Sequence, residues 1–130
     1  MKQSTCIVLA ALNMLIAVGA GAFGAHGLKA ILSIDMLAIW QTAVHYQMVH
    51  ALGLFGMGIL MSQWTDATLL GRAAVTMLVG IIVFSGSLYA LALSGILWLG
   101  AITPIGGVAF LVAWGMLAWC AYRRQSSSSH

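Results

Sequence analysis

A chain of 130 residues that is 62% apolar and only 5% charged cannot be a soluble globular domain, which carries roughly 25% charged residues. The formal net charge of +3 comes from five Lys or Arg against two Asp or Glu, scattered singly, and this excludes a basic nucleic-acid-binding face as surely as the apolar excess excludes disorder. The length suits one domain with about four membrane spans of ~20 residues and short loops.

Residues Cys6 to Gly27 form an apolar stretch broken only by Asn13 and His26. At ~1.5 Å per residue it crosses a ~30 Å hydrocarbon core. The run is longer than the ~7–15 residue core of a secretory signal, and further spans follow it, so an uncleaved first span over 6–27 is expected. Leu28 to Leu37 mixes Lys29, Ser33 and Asp35 with apolar residues and reads as a short interfacial segment, with Asp35 as the cap of the second helix. The second span is predicted over 36–62. Trp40 and Trp64, about 36 Å apart along a helix, are expected to mark the two membrane interfaces.

Gln63 to Thr68 is a polar turn containing Asp66, and a third span is predicted over 69–93, with Arg72 in its first turn. Thr103-Pro104 is a helix-start pair in which the hydroxyl caps and proline takes a position needing no amide hydrogen. The fourth span is predicted over 103–122. Residues 123–130, ending in four serines and a histidine, read as a disordered or tag-derived tail. Lys2, Arg72, Arg123 and Arg124 then share one side and Lys29 the other. The positive-inside rule puts both termini in the cytoplasm of a bacterial inner membrane. Cys6 and Cys120 fall near that reducing face, where a disulfide is not expected.

Heights along the helices sort the polar residues. Measured from Trp40 as the outer interface, His45 lies ~7 Å and His50 ~15 Å inside, with Tyr46 and Gln47 between. His26 lies at the outer boundary, Ser85, Ser87 and Tyr89 in the outer half, and Asn13 is nearly alone in the inner half. Hydrocarbon tolerates such a concentration only if the groups face one another, so a polar chamber opening outward is expected. Tyr46 and His50, four residues apart, share a helix face; His45 and His50 do not and make a poor chelate. No metal site and no cofactor are expected, and the bare histidine count does not carry haem ligation.

His50, near the midplane, is the residue best suited to accept a hydrogen bond or relay a proton. The competing reading is structural: buried His, Ser and Tyr commonly hold membrane helices in register. Gly19, Gly21 and Gly24 spell GxGxxG without the preceding strand that a dinucleotide site requires. Ala17, Gly21 and Ala25 instead form a small-residue ridge suited to helix approach and self-association. No nucleophile, base and orienting acid can be assembled, because Asp35 and Asp66 sit in opposite loops, and an enzyme is not expected.

Four segments, GAFGAHGL at 21–28, HYQMVH at 45–50, FSGSLYALALSG at 84–95 and TPIGG at 103–107, resemble domain-of-unknown-function family 423, the YgdD-like small inner-membrane proteins, similar to eukaryotic transmembrane protein 256. The resemblance spans about Cys6 to Tyr122. It implies an all-α protein with four transmembrane helices and supplies no activity, substrate or cofactor. The family pattern has residues matching His26, Tyr46, His50, Ser85, Ser87, Tyr89, Gly106 and Gly107, and it omits His45. Together these readings predict a non-enzymatic four-helix bundle whose ligand-binding candidates are His26, Tyr46, His50, Ser85, Ser87 and Tyr89. The expected ligand is a lipid headgroup, a small solute or a proton. The alternative is a structural or assembly protein whose polar residues only lock helix packing.

Overall fold

The computed structural model describes residues 1–64 and 67–129, for Ala67 the backbone alone. Asp66, expected in the turn between the second and third spans, and His130 of the tail lie outside the described residues. The chain forms α1 (Gln3–His26), a 3-10 turn (Leu28–Ala30), α2 (Ile34–Gln63), α3 (Ala67–Ser94), a second 3-10 turn (Leu97–Ala101) and α4 (Thr103–Ser128). Four helices are long and apolar enough to cross a membrane, and no strand occurs among the described residues. Helix is the form this composition dictates, since it satisfies every backbone group within its own segment where no water is available.

Local chemistry sets the helix ends, in two cases differently from expectation. Ser33, not Asp35, caps α2: its Oγ accepts from the Met36 amide at 3.2 Å, leaving Asp35 in the first turn, where its charge complements the helix dipole. Pro104 sits in the first turn of α4 as expected, but Thr103 provides no side-chain cap, because its hydroxyl is engaged with Ser87. At Gly95 the backbone reaches φ +71°, a left-handed turn that ends α3 with the Gly95 amide bonded to Leu91 O. α4 continues past Tyr122 to Ser128. There Ser127 and Ser128 donate to the carbonyls of Arg123 and Arg124, four residues back, at 2.9 and 2.8 Å.

Successive helices pack antiparallel, with α2 and α3 central and α1 and α4 flanking. Small residues set the approach. A Cβ on Gly24 would lie 2.7 Å from the Trp40 indole, and one on Gly58 2.7 Å from Ile7. At the α3–α4 crossing a Cβ on Gly106 would lie 2.7 Å from Phe84 Cβ, and one on Gly80 2.6 Å from the Phe110 ring. Ala17 and Gly21 of the expected ridge are spent within the chain: Ala17 is buried, and a Cβ on Gly21 would lie 3.3 Å from Val44. One core, around Cys6, Leu54, Met57, Met77 and Cys120, lies toward the N-terminal end of α1, and a smaller one, around Leu28, Trp40, Val44 and Ala92, toward the other end.

Trp40 is not the interfacial marker the sequence suggests. It is 7% exposed, and its indole Nε1 donates to Ala20 O at 2.8 Å, tying α2 to α1. Trp64 is half-buried under the Arg124 guanidinium, 5.1 Å from its ring centroid. Trp98 and Trp119 are the most exposed indoles among the described residues, near opposite ends of the molecule, where amphipathic rings suit the headgroup level.

Candidate functional site

Moving the depth marker off Trp40 changes which polar groups can meet. Counted from the true starts of α1 and α2, Asn13 lies ~15 Å and Gln47 ~20 Å along their helices, both near mid-membrane. They join. Tyr89 Oη donates to Gln47 Oε1 at 2.7 Å, Gln47 Nε2 donates to Asn13 Oδ1 at 3.2 Å, and Asn13 Nδ2 donates to Leu9 O at 2.9 Å. Each group donates in the same direction, so α3, α2 and α1 are stitched by one polarised relay. The Trp40 ring leans on Tyr89 with centroids 4.6 Å apart and helps hold the phenol in place.

The serines are spent in the same way. Ser85 is buried and donates to Ala43 O at 2.8 Å, linking α3 to α2. Ser87 donates to Phe84 O at 2.9 Å, which leaves its oxygen to accept from the Thr103 hydroxyl at 2.6 Å and joins α3 to α4. In hydrocarbon such bonds hold helices in register.

His50 stands apart. Its Nδ1 lies 2.7 Å from Tyr46 O, and since a carbonyl only accepts, Nδ1 carries the hydrogen. The other ring nitrogen, Nε2, is then an acceptor in the neutral imidazole and makes no hydrogen bond to a described residue. The residue is 6% exposed, yet no buried side-chain nitrogen or oxygen among the described residues lacks a partner, so Nε2 belongs to the part of His50 that stays open. Aromatic rings seat the imidazole. Phe110 stacks on it with centroids 3.5 Å apart at 14°, and Tyr46 stacks at 5.8 Å and 9°. Trp114 adds a tilted contact, and Phe84 lies against Tyr46 at 4.4 Å. Tyr46 itself is 39% exposed, and its hydroxyl has no described partner.

The six expected site residues therefore divide. Tyr46 and His50 form one face, Tyr89 belongs to the relay, and Ser85 and Ser87 serve separate helix contacts. His26 is exposed in the last turn of α1, apart from all of these. His45 is exposed and touches the Tyr46 ring edge-on. No group of three potential metal ligands occurs among the described residues. Sequence reasoning missed Asn13 as the end of the relay, although a lone amide in an apolar span signals a partner on a neighbouring helix. It also missed Phe110 and Trp114, which only the α2–α4 approach brings to His50.

A family model described as a protein of unknown function, DUF423, matches residues 20–107. The chain is 47% identical to the UPF0382 membrane protein YwdK of Bacillus subtilis (strain 168) over 117 residues, covering 90% of this chain and 95% of that protein. It is 51% identical to the UPF0382 membrane protein SSP2132 of Staphylococcus saprophyticus over 111 residues, covering 85% and 91%. No solved structure is significantly similar to the chain.

Proposed function

We propose a role for this chain from the premise that it belongs to the DUF423 family: an integral membrane protein, not an enzyme, that binds a lipid-soluble, hydroxyl-bearing small molecule on its Tyr46–His50 face. One observation carries the reading, the free Nε2 acceptor of a largely buried imidazole set in an aromatic seat. A ligand hydroxyl donates to His50 Nε2 and accepts from the Tyr46 phenol, and its apolar body rests against the rings. Sixteen residues into α2, ~24 Å from its start, this face lies too deep for a lipid headgroup, which favours a molecule that dissolves in the bilayer.

The structural reading has its own support, the Tyr89–Gln47–Asn13 relay, whose groups are all paired within the chain. The two readings assign different residues, and each is testable alone. In nanodiscs, the Nε2 resonance of 15N-labelled His50 is expected to move when a long-chain phenol is added and to stay still with the matched hydrocarbon lacking the hydroxyl. A resonance unmoved by every hydroxyl compound in the folded protein would overturn the ligand reading and leave the structural one.

Lys2, Arg72, Arg123 and Arg124 lie toward one end of the helices and Lys29 toward the other, which supports a bacterial inner-membrane orientation with both termini cytoplasmic. Self-association is supported by Gly19, Gly86 and Gly115, exposed notches where an added Cβ would meet nothing within 4 Å.

A further inference from the structure

A cleft lies far from His50, at the end of the molecule where α1 begins. Its volume is about 710 Å³, and it runs along the first turns of α3 between the start of the chain and Met116 of α4. The Met1 backbone closes one side by lying on Gly71, where an added Cβ would come within 3.4 Å of it. Arg72 and Thr68 line the mouth, both exposed; Arg72 makes no ion pair with a described residue, and the Thr68 hydroxyl has no described partner. Asp35, the one carboxylate side chain among the described residues, is at the opposite end of the helices. Further along α3 the wall turns apolar with the exposed Val75 and with Met116 of α4, while the Thr76 hydroxyl is committed to Arg72 O at 2.8 Å.

We infer that this cleft holds the phosphate of an anionic phospholipid on Arg72 and Thr68, with the upper part of an acyl chain along Val75 and Met116. Three features support the assignment. The guanidinium offers a paired hydrogen-bonding fork of the right charge for a phosphate diester, and Thr68 adds a hydroxyl donor. From Thr68 to Val75 the helix rises ~10 Å, so polar mouth and apolar wall are spaced as headgroup and chain are in a lipid. The cleft opens at a helix end, where headgroups stand. A free phosphate would engage the mouth and leave the apolar wall without an occupant, and the commitment to a lipid rests on that wall. Lys2, Arg123 and Arg124 at the same end add general charge attraction for anionic lipid and do not line the cleft, whereas Arg72 is the side-chain cation that lines it.

The test uses the full chain in nanodiscs of phosphatidylcholine with a minor fraction of phosphatidylglycerol, followed by native mass spectrometry of retained lipid. One phosphatidylglycerol per chain is expected, retained about tenfold less by Arg72→Gln, as loss of a charge-assisted hydrogen bond implies, and unchanged by Arg124→Gln. Should Arg72→Gln fail to fold, Val75→Trp, which fills the apolar wall, is expected to lower retention in the same assay. Equal losses for Arg72→Gln and Arg124→Gln would reduce the cleft to general charge attraction and overturn the site. Displacement of the lipid by millimolar inorganic phosphate, with Val75→Trp silent, would overturn the lipid assignment in favour of free phosphate.

Discussion

Gln47 on α2 donates to Asn13 on α1 across 3.2 Å, and its carbonyl accepts from Tyr89 on α3, so one amide side chain serves three helices in mid-membrane. An amide suits this position because it offers a strong donor and a strong acceptor side by side on one planar, uncharged group. Neither neighbour has water as a substitute.

Gln47→Leu is expected to lower stability more than any other single change in the relay, because it strands both the Tyr89 hydroxyl and Asn13 Oδ1. Unpaired buried groups cost ~1–3 kcal/mol, and helix-to-helix bonds in membranes average ~0.6 kcal/mol. Tyr89→Phe removes only one bond and is expected to have a smaller effect. Thermal unfolding in detergent ranks the two, and a double-mutant cycle of Gln47→Leu with Asn13→Leu should be less than additive.

Gly106→Ala places a methyl group against the Phe84 backbone, which cannot yield as a flexible side chain can. A loss of ~1–3 kcal/mol is expected, typical of overpacking at a tight contact. Gly86→Ala, where nothing lies within 4 Å, is the matched control and should leave the melting temperature of the monomeric protein unchanged.

Trp40→Phe keeps an aromatic ring near Tyr89 but removes the hydrogen bond to Ala20 O. It is expected to cost ~1 kcal/mol. Trp98→Phe, at an exposed indole, should cost far less in detergent. Collisional quenching of fluorescence should likewise reach Trp98 and spare Trp40.

Cys6 and Cys120 are both buried in the core at one end, and the Cys6 thiol donates to Leu54 O at 3.1 Å. Maleimide labelling of the folded protein is therefore expected to be slow at both and to become fast together on unfolding. Rapid labelling of either in the native state would contradict this packing.

Much of this was legible before any fold was seen. Apolar runs of membrane length are read directly from composition, because a bilayer leaves the backbone no form but helix or closed barrel, so the four spans and their order follow from residue type alone. The shared face of Tyr46 and His50 is equally a property of helical phase. The Trp40 height marker failed for a physical reason: an indole is amphipathic, and its N–H can be satisfied by a carbonyl of the next helix as well as by interfacial water. Once Trp40 is buried against Ala20, Asn13 and Gln47 come to the same level.

The chain by itself determined its solvent, its secondary structure and the stock of polar groups placed in the membrane. Tertiary structure alone decided how those groups are spent: Gln47, Ser85, Ser87 and Tyr89 on neighbouring helices, with the free edge of His50 left over. The reason is that span and phase are local, set by spacing along one helix, whereas a hydrogen-bond partner depends on the register between helices. That register comes from close contacts such as Gly24 with Trp40 and Gly106 with Phe84, which no periodicity within a single span encodes.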